Sequence, residues 1–112
     1  MTSPELDQLL LDPTRLSIVA LLAAARWPEF KFVRDSLDLS DSALSKQVST
    51  LSKKGYVEVK KGHVGRVPRT WLNLSTAGHL ALQAHLKALQ DIATRSAQHA
   101  SSDGRSGSES PE

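Results

Sequence analysis

The sequence predicts a mainly α fold with one small β-hairpin (α+β), in the order helix, helix, helix, hairpin, long helix. Three observations predict it. Apolar residues recur every three or four positions over 16–23, 30–37, 44–51 and 82–93, the period of helices with one buried face. Between the last two stretches the period drops to two, through Tyr56-Val57-Glu58-Val59-Lys60 and again from Val67 to Leu74. Charge is also segregated: residues 42–69 hold seven of the 14 Lys/Arg against one acid, Glu58, although the whole chain carries only +2.

Each element has its own signals. Asp12-Pro13 opens the first helix, Asp12 as N-cap and Pro13 at a position that needs no donor. Leu16, Val19, Ala20, Leu22 and Ala23 form its predicted stripe, ended near Arg26-Trp27-Pro28. Ahead of it, Pro4 to Leu11 reads as a short helix whose Leu9 and Leu10 need a partner surface, expected from a second subunit. Glu29 to Leu37 makes the second helix, with Phe30, Val33 and Leu37 in register. A turn through Asp38-Leu39 leads to Ser40, an N-cap, with Asp41 and Ser42 suited to the first turn of the third helix. That helix runs to about Lys54 and is closed by Gly55; it buries Ala43 or Leu44, Val48 and Leu51 and turns Ser42, Ser45, Lys46, Ser49, Thr50 and Lys53 to other faces.

The first strand is expected to point Val57 and Val59 inward, with Gly62 and Gly65 bracketing the turn and Thr70, Leu72 and Leu74 sharing one face of the return. Pro68 confines this strand to an edge or a protruding arm. Ser75 caps a long helix, Thr76 to Arg95. Its stripe of Leu82, Leu86, Leu89 and Ala93 is flanked by Ala77, Ala81, Ala84 and Ala88, more apolar surface than one core contact needs. The surplus predicts a homodimer. From Ser96 onward Ser, Gly, Asp and Glu dominate, so disorder is expected. The chain thus divides into a leading segment (1–11) with a dimer contact, a nucleic-acid-binding unit (12–74), a dimerisation helix (75–95) and a tail (96–112).

Composition excludes several classes. A chain of 112 residues supports one modest core and leaves little room for a separate catalytic domain. It has no cysteine, hence neither disulfides nor thiolate metal sites. The longest apolar stretch, Leu16 to Ala25, is interrupted by Ser17 and too short for a bilayer, and Met1 to Asp12 lacks a basic start; no membrane role and a cytoplasmic location are expected. His63, His79, His85 and His99 make no metal constellation, since His79 and His85 stand about 240° apart on one helix. No phosphate loop, nucleophile elbow or carboxylate pair appears, and Asp35, Asp38 and Asp41 read as turn and cap residues. Neither an enzyme nor a cofactor is expected.

What remains is a basic amphipathic helix followed by a basic hairpin, elements able to enter and flank a groove of double-stranded DNA. This is the footprint of a winged helix-turn-helix, mainly α with a small β-hairpin wing. Serines at 42, 45 and 49 share a helix face where hydroxyls can meet base edges or phosphates. Arg66 and Arg69 can reach a narrow minor groove or fork onto phosphates.

The string LSDSALSKQVSTLSKKGYVEVKKG, followed by GRVPRTWLNLSTAG, resembles the winged-helix regulators of the MarR-like superfamily, in particular its short single-domain members, over about residues 12–90. The opening LDPTRLSIVALL is also similar to the start of ArsR-type regulators, without a counterpart of their Cys or Asp/His sensor sites. The MarR-like resemblance implies a homodimer on a pseudo-palindromic operator, acting as a repressor. It places Ser40, Ser42, Ser45, Lys46 and Ser49 near bases and phosphates, Lys53 on the backbone, and Lys61, His63, Arg66 and Arg69 in the wing. The chain departs from many such regulators in having Gly-Arg-Val-Pro-Arg in place of an Asp-x-Arg wing and only a short leading segment. Its dimer should therefore rest on Leu82, Leu86 and Leu89, with Leu9 and Leu10. Two other readings stand beside it: a winged-helix module that docks proteins between the last helix and the leading segment, and a sensor whose small-molecule effector sits at the dimer interface, supported in sequence by the pair Trp27 and Trp71.

Overall fold

The computed structural model describes residues 5–103. A short 3-10 turn (Leu9–Leu11) precedes α1 (Pro13–Ala24), α2 (Phe30–Ser36), α3 (Asp41–Lys53), β1 (Val57–Val64), β2 (Val67–Leu74) and α4 (Thr76–Asp103). β1 and β2 pair antiparallel, Val57 opposite Leu74 and Val64 opposite Val67. The loop before α2 lies along the free edge of β2: Glu29 bridges to Trp71, and the Leu72 N–H donates to the Pro28 carbonyl at 2.9 Å. This is the expected order of elements, and the fold is a winged helix.

Local chemistry sets the boundaries. The Asp12 carboxylate accepts the Arg15 N–H at 3.0 Å, and Pro13 occupies the first helical position. Ser40 Oγ accepts the Ala43 N–H at 3.1 Å and starts α3. Gly55, at φ 87°, takes the left-handed conformation that ends it. At the far end of the hairpin Gly65, at φ 62°, is the first residue of a two-residue loop, where a turn matching the strand twist demands glycine.

The core is built from Ile18, Val19 and Leu22 of α1, Val33 of α2, Leu44, Val48 and Leu51 of α3, Val57, Leu72 and Leu74 of the hairpin, and Leu82 of α4. Several expectations need correction. In α1 the buried stripe turns toward Ile18, while Ala20 and Ala23 are exposed; the branched side chain fills the core and the alanines face outward. Val59 is 40 % exposed because it faces the open space between the hairpin and α3 and not the closed core. Gly62 lies within β1 opposite Arg69 and not in the turn; the Trp71 ring covers it so closely that a Cβ would stand 3.2 Å away.

The interface leucines divide. Leu10 is fully buried and Leu82 nearly so in the core of the chain itself, which removes both as contacts for a second copy. Leu9 packs half-buried against that core, whereas Leu86 and Leu89 are 48 % and 38 % exposed. The buried stripe of α4 is Gly78, Leu82, His85 and Ala88, one step round from the sequence expectation. The helix also runs through Ser96 to Asp103, past the expected end at Arg95, and no glycine or proline interrupts the chain between Gly78 and Gly104. The remainder of the expected tail, residues 104–112, and the start of the leading segment at Pro4 lie outside the described residues.

Two junctions hold these elements. At the first, the Tyr56 N–H donates to the Leu51 carbonyl at 3.0 Å, the Ser75 N–H to the Tyr56 carbonyl at 2.9 Å, and Ser75 Oγ to the Gly55 carbonyl at 2.6 Å. Ser75 Oγ in turn accepts the Gly78 N–H at 3.0 Å and so caps α4. At the second, Asp7 joins three parts of the chain: its carboxylate accepts from the Leu9 N–H and the Tyr56 hydroxyl, and its own N–H donates to His85 Nδ1. Burial, the bond to Asp7 and its charge push the Tyr56 hydroxyl up to about 12.

Gly78 lies against the Tyr56 carbonyl and the Leu74 side chain, with no room for a Cβ. We expect Gly78→Ala to destabilise the fold by about 2–3 kcal/mol in urea unfolding, at the upper end of overpacking costs. Tyr56→Phe should cost about 1 kcal/mol at neutral pH. Because the Tyr56 hydroxyl is held protonated in the fold, its contribution is complete below the ordinary tyrosine range and fades as pH rises toward about 12. The gap between wild type and Tyr56→Phe in unfolding midpoints should close over that interval.

Candidate nucleic-acid interface

α3 and the hairpin enclose an open groove of about 910 Å³. Asp41, Ser45, Val48, Ser49, Ser52 and Lys53 line it from α3, Val59, Lys61, Thr70 and Leu72 from the hairpin, and Phe30 from α2. The amphipathicity of α3 explains its side. With Leu44, Val48 and Leu51 in the core, Ser42, Ser45, Lys46, Ser49 and Lys53 are all left exposed. The three serines are short and leave the helix surface open to close approach, while Lys46 and Lys53 are the long cations on the same side.

The hairpin register sorts the wing residues onto two faces. Lys61 pairs with Thr70 and His63 with Pro68, on the side that carries Val59 and Leu72 and looks into the groove. Gly62 pairs with Arg69 and Lys60 with Trp71 on the opposite side. Arg69 therefore does not join the groove cations, and its Nε stands 3.6 Å from the Glu29 carboxylate. Arg66 is exposed in the two-residue loop at the tip. Trp71 covers Gly62, and the Trp27 ring lies 5.8 Å below the Lys60 ammonium. Both tryptophans thus pack on the outer side of the hairpin, away from the groove.

Ser40 spends its hydroxyl on the α3 cap and lies 3.3 Å from Ser42 Oγ. Arg34, absent from the sequence expectations, bridges the end of α2 to the start of α3, with Nε on Asp35 at 2.9 Å and Nη1 on Asp41 at 2.7 Å. The guanidinium bond to Asp35 holds that carboxyl below its usual range, and the two carboxylates raise Arg34 further above its own. Sequence spacing could not reveal this fork, because positions 34 and 41 meet only through the turn that Asp38 makes at φ 55°. Ser52 was within reach of the sequence, being three residues beyond Ser49 on the same helical face.

An exposed helix face of hydroxyls and lysines beside a basic hairpin is the arrangement that winged helix-turn-helix proteins present to DNA. Comparison with known proteins agrees. Residues 14–93 match the family model described as a winged helix DNA-binding domain, and the chain belongs to that family. It is 32 % identical over 73 residues to an uncharacterized protein of Methanocaldococcus jannaschii, covering 64 % of this chain and 78 % of that one. Among solved structures it is similar to a transcriptional regulator homologue from Pyrococcus horikoshii OT3, with a TM-score of 0.74 and 26 % identity over 79 % of this chain and 87 % of that chain. It also shares the fold of MepR from S. aureus, solved in a DNA complex, with a TM-score of 0.66 and 16 % identity over 85 % and 81 % of the two chains. The class is that of winged-helix DNA-binding proteins. Among the described residues no helix is long and apolar enough to cross a membrane, and no group of His, Cys, Asp or Glu is placed to hold a metal.

Proposed function

We propose that the protein is a homodimeric, sequence-specific regulator that represses by occluding a promoter. In this reading α3 lies in the major groove and the hairpin on the adjacent minor groove or phosphates. The observation that carries it is the groove between α3 and the hairpin, bordered by Lys53 on one side and Lys61 on the other. A phosphate backbone running along that channel would bring Ser42, Ser45, Lys46 and Ser49 to base edges, with Lys53, Lys61 and His63 on phosphates and Arg66 at the minor groove. Ser40 would act through its cap, by fixing the start of α3. Arg69 is the weakest of these candidates because Glu29 already holds it on the outer face.

Dimerisation is supported by α4. Beyond Ala88 the helix continues to Asp103, while Leu86, Leu89 and Ile92 stay well exposed. An isolated helical arm of this length is marginal in water unless an apolar face is covered. A second copy would cover it and set two reading heads on the two halves of a palindrome.

Selection of duplexes from a randomised pool at near-physiological salt, then titration against scrambled DNA, tests the reading. An inverted repeat with half-sites about one helical turn apart is the expected winner; equal affinity for every duplex would refute it. Lys61→Ala and Lys53→Ala should each lower the slope of log affinity against log salt by about 0.9, the value of one phosphate contact, whereas Arg69→Ala should change it little. Leu86→Glu should yield monomers in sedimentation and lose most operator affinity, because half-sites then bind independently.

A further inference from the structure

The tip of the hairpin has a composition that basic charge alone does not explain. Gly65 and Arg66 form its two-residue loop, and Val64 and Val67 close the loop as the last pair of the ladder. These valines are 56 % and 49 % exposed, on the face shared with Gly62 and Arg69, so about half of each apolar side chain stays open to solvent. Arg66 is exposed and makes no salt bridge among the described residues. The one acid between residues 42 and 69, Glu58, stands near the other end of the strand, opposite Asn73. From Val64 to Val67 the tip therefore offers one cationic side chain and two apolar ones, and no side-chain hydrogen-bond acceptor.

Resting on the DNA-binding reading, we propose that this tip selects A·T pairs in the minor groove beside each half-site, because Arg66 and the Val64–Val67 pair leave the guanine amino group without a partner. A guanidinium donates hydrogen bonds and accepts none. The minor-groove floor of an A·T pair carries acceptors alone, adenine N3 and thymine O2, whereas a G·C pair adds the guanine N2 donor. Donor meets acceptor in the first case and donor meets donor in the second. The valines sharpen the difference. Set against the apolar edges of the deoxyriboses, they exclude the water that would otherwise bond the stranded amino group, which then carries its full desolvation cost. Runs of A·T pairs also narrow the groove and deepen its negative potential, which draws Arg66 the same way.

Position favours the tip over its neighbours. His63 and Pro68 sit one pair back on the face toward the groove with α3, and Arg69 is held by Glu29 at 3.6 Å. From Lys61 to Val64 the strand advances by three residues, about 10 Å, so the tip stands clear of the phosphates assigned to Lys61. The tight loop that Gly65 permits at φ 62° leaves Arg66 foremost. The serines of α3 suit several bases, and the tip adds discrimination at pairs that α3 does not touch.

The test uses the full-length chain and the duplex recovered by selection. Each pair flanking the half-sites is made in turn A·T, G·C, inosine·C or diaminopurine·T, and affinity is measured at fixed salt. Inosine·C keeps the major-groove face of G·C without the amino group; diaminopurine·T keeps that of A·T and adds one. In a run of positions beside each half-site, A·T and inosine·C should bind alike and about tenfold tighter than G·C and diaminopurine·T. Positions read by α3 should sort the other way, inosine·C with G·C. Arg66→Ala should erase the flank preference. The double variant Val64→Thr/Val67→Thr keeps the side-chain shape and adds hydroxyl acceptors; it should bind A·T flanks within about twofold of wild type while the preference shrinks to about threefold or less. Equal affinity for all four flanks, or inosine·C following G·C at every position, overturns the proposal, and an undiminished preference in the double variant overturns the role of the valines. A selected duplex bound without flank dependence sinks this proposal alone, whereas failure to bind any duplex sinks the DNA-binding reading with it.

Discussion

The junction of Gly55, Tyr56, Ser75 and Gly78 is the constraint on which the placing of α3 against the hairpin depends. The end of α3, both inner ends of the hairpin and the start of α4 meet there through four hydrogen bonds, and the Tyr56 carbonyl fills the space a side chain at 78 would need. The hairpin is only two strands wide, and its buried positions, Val57, Leu72 and Leu74, lie toward this end. Its angle to α3, and hence the width of the groove, is set by these short contacts and not by a broad sheet interface. The loop of residues 27–29 steadies the outer side, where Leu72 bonds to Pro28 and Glu29 reaches Arg69.

Electrostatics and packing divide the work. Among the described residues neither Lys53 nor Lys61 makes a salt bridge, so the two groove cations are open to a polyanion. The acids nearest the start of α3 are partly offset in place, since Arg34 shares its single charge between Asp35 and Asp41. That pairing costs little in exposed positions, yet it reduces what would otherwise repel phosphate at the leading end of the helix.

Much of this was legible in the sequence because the signals were local. Asp12-Pro13, Ser40 and Gly55 mark helix ends by chemistry that acts within a turn, and all three do so in the structure. The two-residue period of the hairpin named its strands, although Gly62 was misassigned because a strand glycine covered by Trp71 looks the same as a turn glycine. Faces were harder to read than elements. In α1 and α4 alanine and leucine lie on adjacent stripes, so periodicity alone left the buried one about 100° uncertain, and Ile18 and His85 went unmarked. Arg69 could be placed only from pairing register, which decides the side of the wing that each residue occupies. Long-range polar contacts such as Arg34–Asp41 and Asp7–His85 depend on turns that no single-residue preference encodes.

The last buried position of α4 is Ala88, yet the helix continues to Asp103. Everything that shapes the groove between α3 and the hairpin lies before that point, and among the described residues the helical extension adds nothing to the core. The two halves of the chain are therefore free to diverge separately. In the proposed dimer, substitutions past Ala88 would change which subunits assemble, or how far apart, without disturbing the helix that faces the groove, and the serines and lysines of α3 would drift without altering assembly. Such a division would give evolution, or an engineer, a groove-forming unit and a coupling rod that can be exchanged independently.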